Sequence, residues 1–276
     1  MELKYFIKNN KICPVSEAVI SLFNIEHNYG FGVYENIKIK NSKPCFLDEH
    51  ITRLFSSASL VRMEHGFSKT DISKSINQLI QKLSDQKINI NLKMVLMGAK
   101  QKKDTTLYIL PLNPHFIDRK LYRDGVKTLT KKYERWMPQA KTLNMLPSYV
   151  YYSEAKNQGC YDVLFVDKQN NVIEGSRTNF FVIDGKTIVT APEEEVLNGV
   201  TRRYVIEIAR KNNYTVKEEM IKLEDLEGYK SAFLTSTSSR IVPINKIDDI
   251  EFGKPSKELV ELMGKFDEYL KEQEAE

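Results

Sequence analysis

Strand-like and helical spacings of hydrophobic residues divide the chain into two halves. In the first half, apolar, β-branched and aromatic residues have the spacing of strands at residues 3–7, 29–40, 43–47, 91–97 and 107–110. Helical spacing occurs at about residues 49–63, after the candidate N-cap Asp48, and again from Lys69. The two prolines in residues 111–114 make that segment stiff, so we place a domain boundary there.

The second half repeats the alternation of strands with helices. Strands are predicted at residues 125–130, 161–166, 172–175, 180–183, 187–190 and 232–234. Helices are predicted over residues 148–158, about 200–211 and about 256–273. The whole pattern predicts an α/β protein with two domains, residues 1–114 and 115–276.

Composition excludes several classes of function. The chain has 276 residues, of which 41% are hydrophobic and 28% charged, and its net charge is +4. No apolar run is long enough to span a membrane, and the N-terminus lacks the pattern of a signal peptide, so we expect a cytoplasmic protein. The lysines are scattered, which argues against nucleic-acid binding. Three unpaired cysteines and four scattered histidines predict reduced thiols and no metal site.

Residues 141–180 hold the first candidates for chemistry. Lys141 precedes the predicted helix at 148–158, and Glu174 lies at a strand end next to Gly175, where a backbone can approach a ligand closely. A lysine and a glutamate at neighbouring strand ends could act on one bound molecule. On residue types alone, a solvated lysine and a surface glutamate are the favoured interpretation.

Three further features could hold anions. His50 and Arg53 share one side of the predicted helix, which is either a solvated edge or an anion site. The turn at residues 198–199 leads into a helix whose N-terminus suits a phosphate. Residues 235–239 carry five hydroxyl groups at a strand end and could bind anionic oxygens or form an ordinary polar turn.

In combination and in order, six motifs make the chain resemble the fold-type IV (class IV) pyridoxal-phosphate aminotransferases. This family includes D-amino acid and branched-chain aminotransferases and aminodeoxychorismate lyase. The motifs are YGFGVYE at 29–35, LDEHITRL at 47–54, KTLNMLPSYV at 141–150, EGSRTNFF at 174–181, LNGVTRR at 197–203 and FLTSTS at 233–238. The resemblance implies a small N-terminal α/β domain, a larger barrel-like C-terminal domain that carries Lys141, and a pyridoxal 5'-phosphate cofactor.

The resemblance also assigns roles to individual residues. Lys141 would form the Schiff base with the cofactor and move the substrate proton, and Glu174 would pair with the pyridine nitrogen. Arg53 would bind the cofactor phosphate, together with the Val200 and Thr201 backbone and the Thr237 hydroxyl. Leu197 would pack against the ring, and the substrate side would be lined by Tyr34, Thr237 and Ser238. Without the resemblance, Arg53 would be a surface ion pair, Thr237 a turn hydroxyl, and Leu197 and Tyr34 core residues.

The chain departs from the family pattern where the substrate carboxylate is held. D-amino acid aminotransferases have an arginine and a histidine after the strand at 91–97, whereas this chain has Met97 and then only lysines as basic residues. Leu146 stands where branched-chain enzymes have a tyrosine, and Glu35 is more similar to the transaminases than to the lyase. Arg240 stands where acidic residues are common and could bind a substrate carboxylate or face solvent.

The family resemblance implies a homodimeric aminotransferase. It would move an amino group between an amino acid, of branched-chain or D-amino acid type, and a 2-oxo acid. One alternative is aminodeoxychorismate lyase, which uses the same cofactor to eliminate pyruvate and give 4-aminobenzoate. A second alternative is a relative that binds the cofactor without catalysis. We expect no metal, nucleic-acid or membrane partner.

Overall fold

The structure is a computed structural model that describes residues 4–83, 86–114 and 117–275. Leu3 of the predicted first strand and residue 115 at the predicted domain boundary lie outside the described residues. The chain divides into one unit of Met1–His115 with Ala140–Asn144 and another of Phe116–Gln139 with Met145–Glu276. The sequence assigned Lys141 to the second domain, whereas in the structure its segment belongs to the first unit.

An antiparallel sheet with two helices packed on it makes up the described part of the first unit. Its elements are β1 (Tyr5–Lys8), β2 (Lys11–Pro14), α1 (Ile25–Asn28), β3 (Gly32–Lys40), β4 (Lys43–Pro44), α2 (Leu47–Leu60), α3 (Lys69–Leu83), β5 (Ile90–Met97) and β6 (Thr106–Leu112). The described strands lie in the order β2-β1-β6-β5-β3-β4. Alternate residues of β3 and β5, such as Ile37 and Leu92, are buried with apolar residues of α2 and α3. One face of the sheet is therefore the core, as the period-two pattern predicts.

Two local predictions in this unit were wrong. The helix α2 begins at Leu47, one residue before the proposed cap, and its N-cap is Phe46 in the left-handed conformation with φ 54°. Asp48 therefore lies within the first turn, where a carboxylate still interacts favourably with the helix dipole. The segment 111–114 begins inside β6, because Leu112 still pairs with Asn91 of β5.

The second unit has more strands and three long helices. Its elements are α4 (Arg119–Asp124), β7 (Val126–Lys132), α5 (Leu146–Asn157), β8 (Asp162–Val166), β9 (Asn171–Gly175), β10 (Asn179–Asp184), β11 (Thr187–Thr190), α6 (Val200–Lys211), β12 (Thr215–Glu218), β13 (Ile221–Lys222), β14 (Ser231–Ser236), β15 (Arg240–Ile247), β16 (Ile250–Glu251) and α7 (Lys257–Ala275). Short 3-10 helices lie at Val15–Glu17 in the first unit and at Glu193–Glu195 and Leu223–Gly228 in the second.

Six of these strands close into a barrel. They pair in the order β9-β10-β14-β15-β7-β8, and β8 pairs with β9 to complete the ring. The contact between β9 and β10 is the single residue pair Glu174 and Asn179. The sequence of β10 does not alternate between apolar and polar residues, because both faces of this strand are buried. Phe180 faces a cluster drawn from all six strands, and Phe181 packs with residues of α6 and α7. The predicted α/β fold with a barrel-like second half is confirmed.

Candidate active site

The backbone of Lys141 is fixed to the first unit by hydrogen bonds on both sides. The N–H of Tyr34 donates to the carbonyl oxygen of Lys141 at 2.9 Å. The N–H of Lys141 donates to the Ser57 hydroxyl on α2 at 3.0 Å, and Thr142 forms a β-bridge with Val33. Because these bonds join the segment to the edge of β3, Lys141 groups with the first unit rather than with the barrel.

The side chain of Lys141 extends over an aromatic ring. Its Nζ lies 4.6 Å from the centroid of the Tyr34 ring, and Tyr34 is 8% exposed. The segment after Lys141 packs closely on β3, because a Cβ on Gly32 would lie 2.5 Å from Cδ1 of Leu143. The structure thus brings Lys141 and Tyr34, two predicted site residues, into contact.

Arg53 is held by a buried carboxylate. Its Nε and Nη2 donate to Oε1 and Oε2 of Glu35 at 2.6 and 2.8 Å, and Nδ1 of His50 lies 2.8 Å from Oε2. Glu35 and His50 are fully buried, and the Arg53 side chain is 13% exposed. Burial raises the pKa of Glu35, but the charge and hydrogen bonds of Arg53, aided by His50, outweigh it and lower that pKa to about 2. We call Tyr34, Glu35, His50, Arg53 and Lys141 the lysine cluster.

Met97 has a structural position rather than a ligand-binding one. It is 6% exposed and packs in an apolar cluster with Phe6 and Tyr108. The next residue, Gly98, donates its N–H to the carbonyl oxygen of Phe31 at 2.8 Å. At the position where the sequence has Met97 instead of an arginine, the structure therefore has an apolar contact at the end of β5.

The second unit holds Glu174 in one orientation through donors from two other chain segments. Glu174 is 4% exposed. Its Oε1 accepts from Nε of Arg135 at 2.6 Å, and Arg135 also donates to the carbonyl oxygen of Pro138. Its Oε2 accepts the N–H of Leu197 at 3.3 Å. Glu174 and Leu197, both predicted site residues, are thus direct neighbours.

Asn179 connects this carboxylate to the segment before α6. Its Nδ2 donates to the carbonyl oxygen of Leu197 at 2.8 Å, and its backbone pairs with Glu174 across the barrel seam. We call Arg135, Glu174, Asn179 and Leu197 the carboxylate cluster. Around Arg135 and Glu174 the surface forms a pocket that also includes Tyr133, Phe165 and Ile173.

The N-terminus of α6 presents unused backbone donors. Gly199 is its N-cap, and no side chain caps it. The first hydrogen bond of the helix runs from the N–H of Arg203 to the carbonyl oxygen of Gly199 at 2.9 Å, so the N–H groups of Val200 and Thr201 have no acceptor within the helix. Val200 and Thr201 are buried. These donors and the positive end of the helix dipole suit a phosphate.

Thr237 and Ser238 lie in the turn between β14 and β15. Thr237 is half-buried and Ser238 is exposed. In the adjoining strand, Thr235 pairs with Asn179 of β10. The turn therefore lies at the same end of the barrel as the pair of Glu174 and Asn179.

Arg240, for which two interpretations were open, makes an ion pair with α7. Its Nη1 lies 2.6 Å from Oδ1 of Asp267. A charged partner from the acidic C-terminal helix therefore accounts for this arginine.

The sequence did not identify two charged residues of the clusters. Arg135 was given no role, and Glu35 was used only to compare the chain with members of the family. Each lies next to a predicted site residue in space, Arg135 beside Glu174 and Glu35 beside Arg53. Glu35 could have been found by its position on the apolar face of β3, between Val33 and Ile37, where a carboxylate needs a basic partner.

Known protein families and proteins match most of this chain. The family model described as amino-transferase class IV matches residues 32–247. The chain belongs to this family. It is 26% identical over 255 residues to a D-alanine aminotransferase of Bacillus licheniformis, with 89% of both chains covered. It is 28% identical over 257 residues to a putative branched-chain-amino-acid aminotransferase of Methanocaldococcus jannaschii, with 87% and 86% covered.

A solved structure has the same fold. The T.th. branched-chain amino acid aminotransferase with pyridoxamine 5'-phosphate superposes with a TM-score of 0.88 at 22% identity, covering 97% of this chain and 94% of that one. The enzyme described here is thus a class IV aminotransferase with the fold-type IV architecture. Among its described residues, no helix has the length and apolar character needed to cross a bilayer.

Proposed function

We propose that this enzyme transfers an amino group between an amino acid, of branched-chain or D-amino acid type, and a 2-oxo acid, with pyridoxal 5'-phosphate as cofactor. The observation that carries the proposal is the hydrogen bond between Glu174 and Leu197, three residues before the uncapped N-terminus of α6. A buried carboxylate and a phosphate-binding helix end are thereby joined in one unit. The relatives named D-alanine and branched-chain aminotransferase support the substrate class, and the neighbour with pyridoxamine 5'-phosphate supports the cofactor.

The residues fit this cofactor at both ends. In our proposal the N–H groups of Val200 and Thr201, the hydroxyl of Thr237 and the guanidinium of Arg53 bind the phosphate. Glu174 would accept a hydrogen bond from the protonated pyridine nitrogen and so keep the ring protonated, and Arg135 keeps the carboxylate in place. Leu197, whose N–H and carbonyl oxygen are both hydrogen-bonded, packs against the ring. When bound, the cofactor supplies a carbonyl that takes up the amino group and a ring that withdraws electrons from the substrate.

Lys141 has two roles in the proposal. Its amine would hold the cofactor covalently and, in its free form, would take the proton from the substrate α-carbon and return it during the transfer. The hydrogen bonds of its backbone to Tyr34 and Ser57 keep the amine in reach during both steps. Tyr34, beneath the amine, is proposed to contact the substrate together with Thr237 and Ser238.

The test is an absorption spectrum of the cofactor-loaded enzyme while D- and L-amino acids are added in turn. We expect one class of amino acid to convert the visible band to that of the amino form of the cofactor, and a 2-oxo acid to reverse the change. Lys141→Ala should slow this conversion by at least about 100-fold. Lys254→Ala, at an exposed lysine of the second unit, is the matched control and should leave the rate unchanged.

Two results would contradict the proposal. Full activity of Lys141→Ala would remove the lysine from the chemistry. Release of pyruvate from aminodeoxychorismate without an amino acceptor would identify the enzyme as a lyase instead.

We also propose that the enzyme is a cytoplasmic homodimer. Seven large apolar side chains of residues 15–29 are about half or more exposed: Val15, Val19, Ile20, Leu22, Phe23, Ile25 and Tyr29. An apolar stretch of this length on a surface supports an interface with a second copy. The free thiols of Cys13 and Cys160 support a reducing compartment.

A further inference from the structure

The turn between Glu174 and Asn179 exposes one side chain. Ser176 is 5% exposed and Thr178 is 6% exposed, whereas Arg177 between them is exposed to solvent. Both ends of the turn belong to the carboxylate cluster. Arg177 is therefore presented directly beside the residue proposed to bind the cofactor ring.

A buried carboxylate fixes the conformation of this turn. Asp162, which is fully buried, accepts hydrogen bonds from the hydroxyls of Ser176 at 2.5 Å and Thr178 at 2.9 Å. Burial raises the pKa of Asp162, an effect that these hydrogen bonds partly offset. A Cβ on Gly175 would lie 2.0 Å from the Thr178 hydroxyl, so the turn admits only glycine there. The backbone of Arg177 is thus held in place before any ligand arrives.

The guanidinium of Arg177 lies on an aromatic ring and has no counter-charge at contact distance. Its central carbon is 4.0 Å from the centroid of the Tyr152 ring. Within the described part of the chain, no carboxylate lies at ion-pair distance from Arg177. Stacking on Tyr152 orients the guanidinium plane and leaves its N–H edge able to meet a planar anion.

The position of Arg177 relative to the predicted substrate side follows from the charge and the strand pairing. Burial raises the pKa of Tyr161, and the nearby charge of Arg177 partly offsets this effect. The strand before that turn pairs with β10 up to Asn179, next to the turn of Arg177. Arg177 therefore lies at the same end of the barrel as the residues proposed for the substrate side.

We infer that Arg177 binds the carboxylate of the amino acid and 2-oxo acid substrates. The inference rests on the proposed function and identifies the group that replaces the arginine missing at Met97. A guanidinium can bind a carboxylate through two parallel N–H···O bonds, which suits an enzyme whose two substrates share only that group. Arg177 is then a residue that determines specificity for acids over simple amines.

Binding without chemistry tests the inference first. The probe is 4-methylvalerate, which has a carboxylate and no amino group, titrated by calorimetry into the cofactor-loaded enzyme. Arg177→Gln should weaken its binding by about 10- to 100-fold, the loss expected for one or two charged hydrogen bonds. Arg177→Lys keeps the charge but loses the planar fork, so its affinity for 4-methylvalerate should lie between those of the parent and Arg177→Gln. Arg119→Gln, at another exposed arginine of the second unit, is the matched control and should bind as the parent does.

Single-turnover kinetics then separate recognition of the carboxylate from recognition of the amine. For the amino acid that the parent enzyme converts fastest, Arg177→Gln should raise the apparent Kd by about 10- to 100-fold with little change in the maximum rate constant. For the corresponding amine without a carboxylate, parent and variant should react equally. Circular dichroism and thermal unfolding of Arg177→Gln and Arg177→Lys check that both remain folded.

The inference is overturned if Arg177→Gln binds 4-methylvalerate as tightly as the parent, or if the parent does not bind it at all. It is also overturned if the variant loses the amine reaction as much as the amino acid reaction. Failure of the proposed function gives a different result, because then no amino acid changes the spectrum of the parent enzyme while carboxylate binding is still measured separately.

Discussion

At the residue scale, Glu35 holds two basic side chains of α2 in fixed positions. It is fully buried and receives two hydrogen bonds from Arg53 and one contact from His50. A carboxylate buried in this way is stable only while its partners remain, because an unpaired charge in the interior is costly. Arg53 is therefore oriented by Glu35 before it meets any phosphate.

This arrangement predicts how stability depends on pH. The pKa of Glu35 is lowered to about 2 from 4.5, so its contribution to the free energy of unfolding is complete above pH 4.5 and is lost as pH falls toward 2. Glu35→Gln should lower that free energy by about 3 kcal/mol at pH 7. In urea unfolding experiments, the difference in free energy of unfolding between variant and parent should shrink as the pH falls from 4.5 to 2. Glu64→Gln, at an exposed glutamate of the same unit, is the control; an equal loss there would contradict the role of Glu35.

Sequence reasoning at this scale found residues whose roles depend on residue type and motif. Lys141, Glu174 and Arg53 stand in recognisable motifs, and the structure gives each a defined partner. Arg135 could not be found in this way, because its partner Glu174 is 39 residues away in the chain and the pairing of β7, β8 and β9 brings them together. The predicted role of each residue in cofactor or substrate binding stays a prediction.

At the element scale, the N-terminus of α6 depends on one glycine. Gly199 has an ordinary φ of −63°, so backbone strain is not the reason for it. A Cβ at this position would lie 2.2 Å from Oδ1 of Asn179, the residue whose amide donates to the carbonyl oxygen of Leu197. The glycine thus allows the helix end and the barrel seam to approach each other.

We expect Gly199→Ala to displace the side chain of Asn179 and to disturb the carboxylate cluster. The free energy of unfolding should fall by about 1–3 kcal/mol, as for other overpacked sites, and the Kd for pyridoxal phosphate should rise by about tenfold. Urea unfolding and a titration with the cofactor measure the two effects. Gly228→Ala, where a Cβ would meet nothing within 4 Å, is the control. Equal behaviour of the two variants would show that the close approach has no energetic role.

Elements were more predictable than the connections between them. The helix α6 was predicted at about residues 200–211 and spans Val200–Lys211, because a turn before it and a strong apolar stripe mark both ends. The start of α2 was missed, since a left-handed phenylalanine as N-cap has no sequence signal. The closure of the barrel by one pair of residues depends on strand positions that no local pattern contains.

At the scale of the whole molecule, the chain passes between its two units three times. It leaves the first unit after residue 115, returns for Ala140–Asn144 and leaves again. The domain boundary predicted from the sequence rests on the two prolines of residues 111–114. The short return of five residues has no such mark, since the hydrogen bonds that define it are made to β3, more than 100 residues earlier.

The proposed dimer gives a prediction at this scale. Phe23 is 99% exposed in the apolar segment 15–29, so its burial by a second copy would contribute about 1.5–3 kcal/mol. Phe23→Glu should therefore weaken dimerisation by at least about tenfold, measured by light scattering as a shift from twice 32.0 kDa toward 32.0 kDa. Val260→Glu, at an exposed apolar residue of α7, is the control. A parent enzyme that is monomeric would contradict the proposal.

The segment Ala140–Asn144 also has a consequence for how the protein is made. A ribosome delivers the strands of the first sheet, through Leu112, well before it delivers Lys141. Until then the start of β3 lacks the neighbour that accepts the N–H of Tyr34, and an open strand edge readily pairs with other chains. A nascent chain halted before residue 140 is thus exposed to aggregation at this edge. The segment that positions the amine of Lys141 therefore also covers this strand edge.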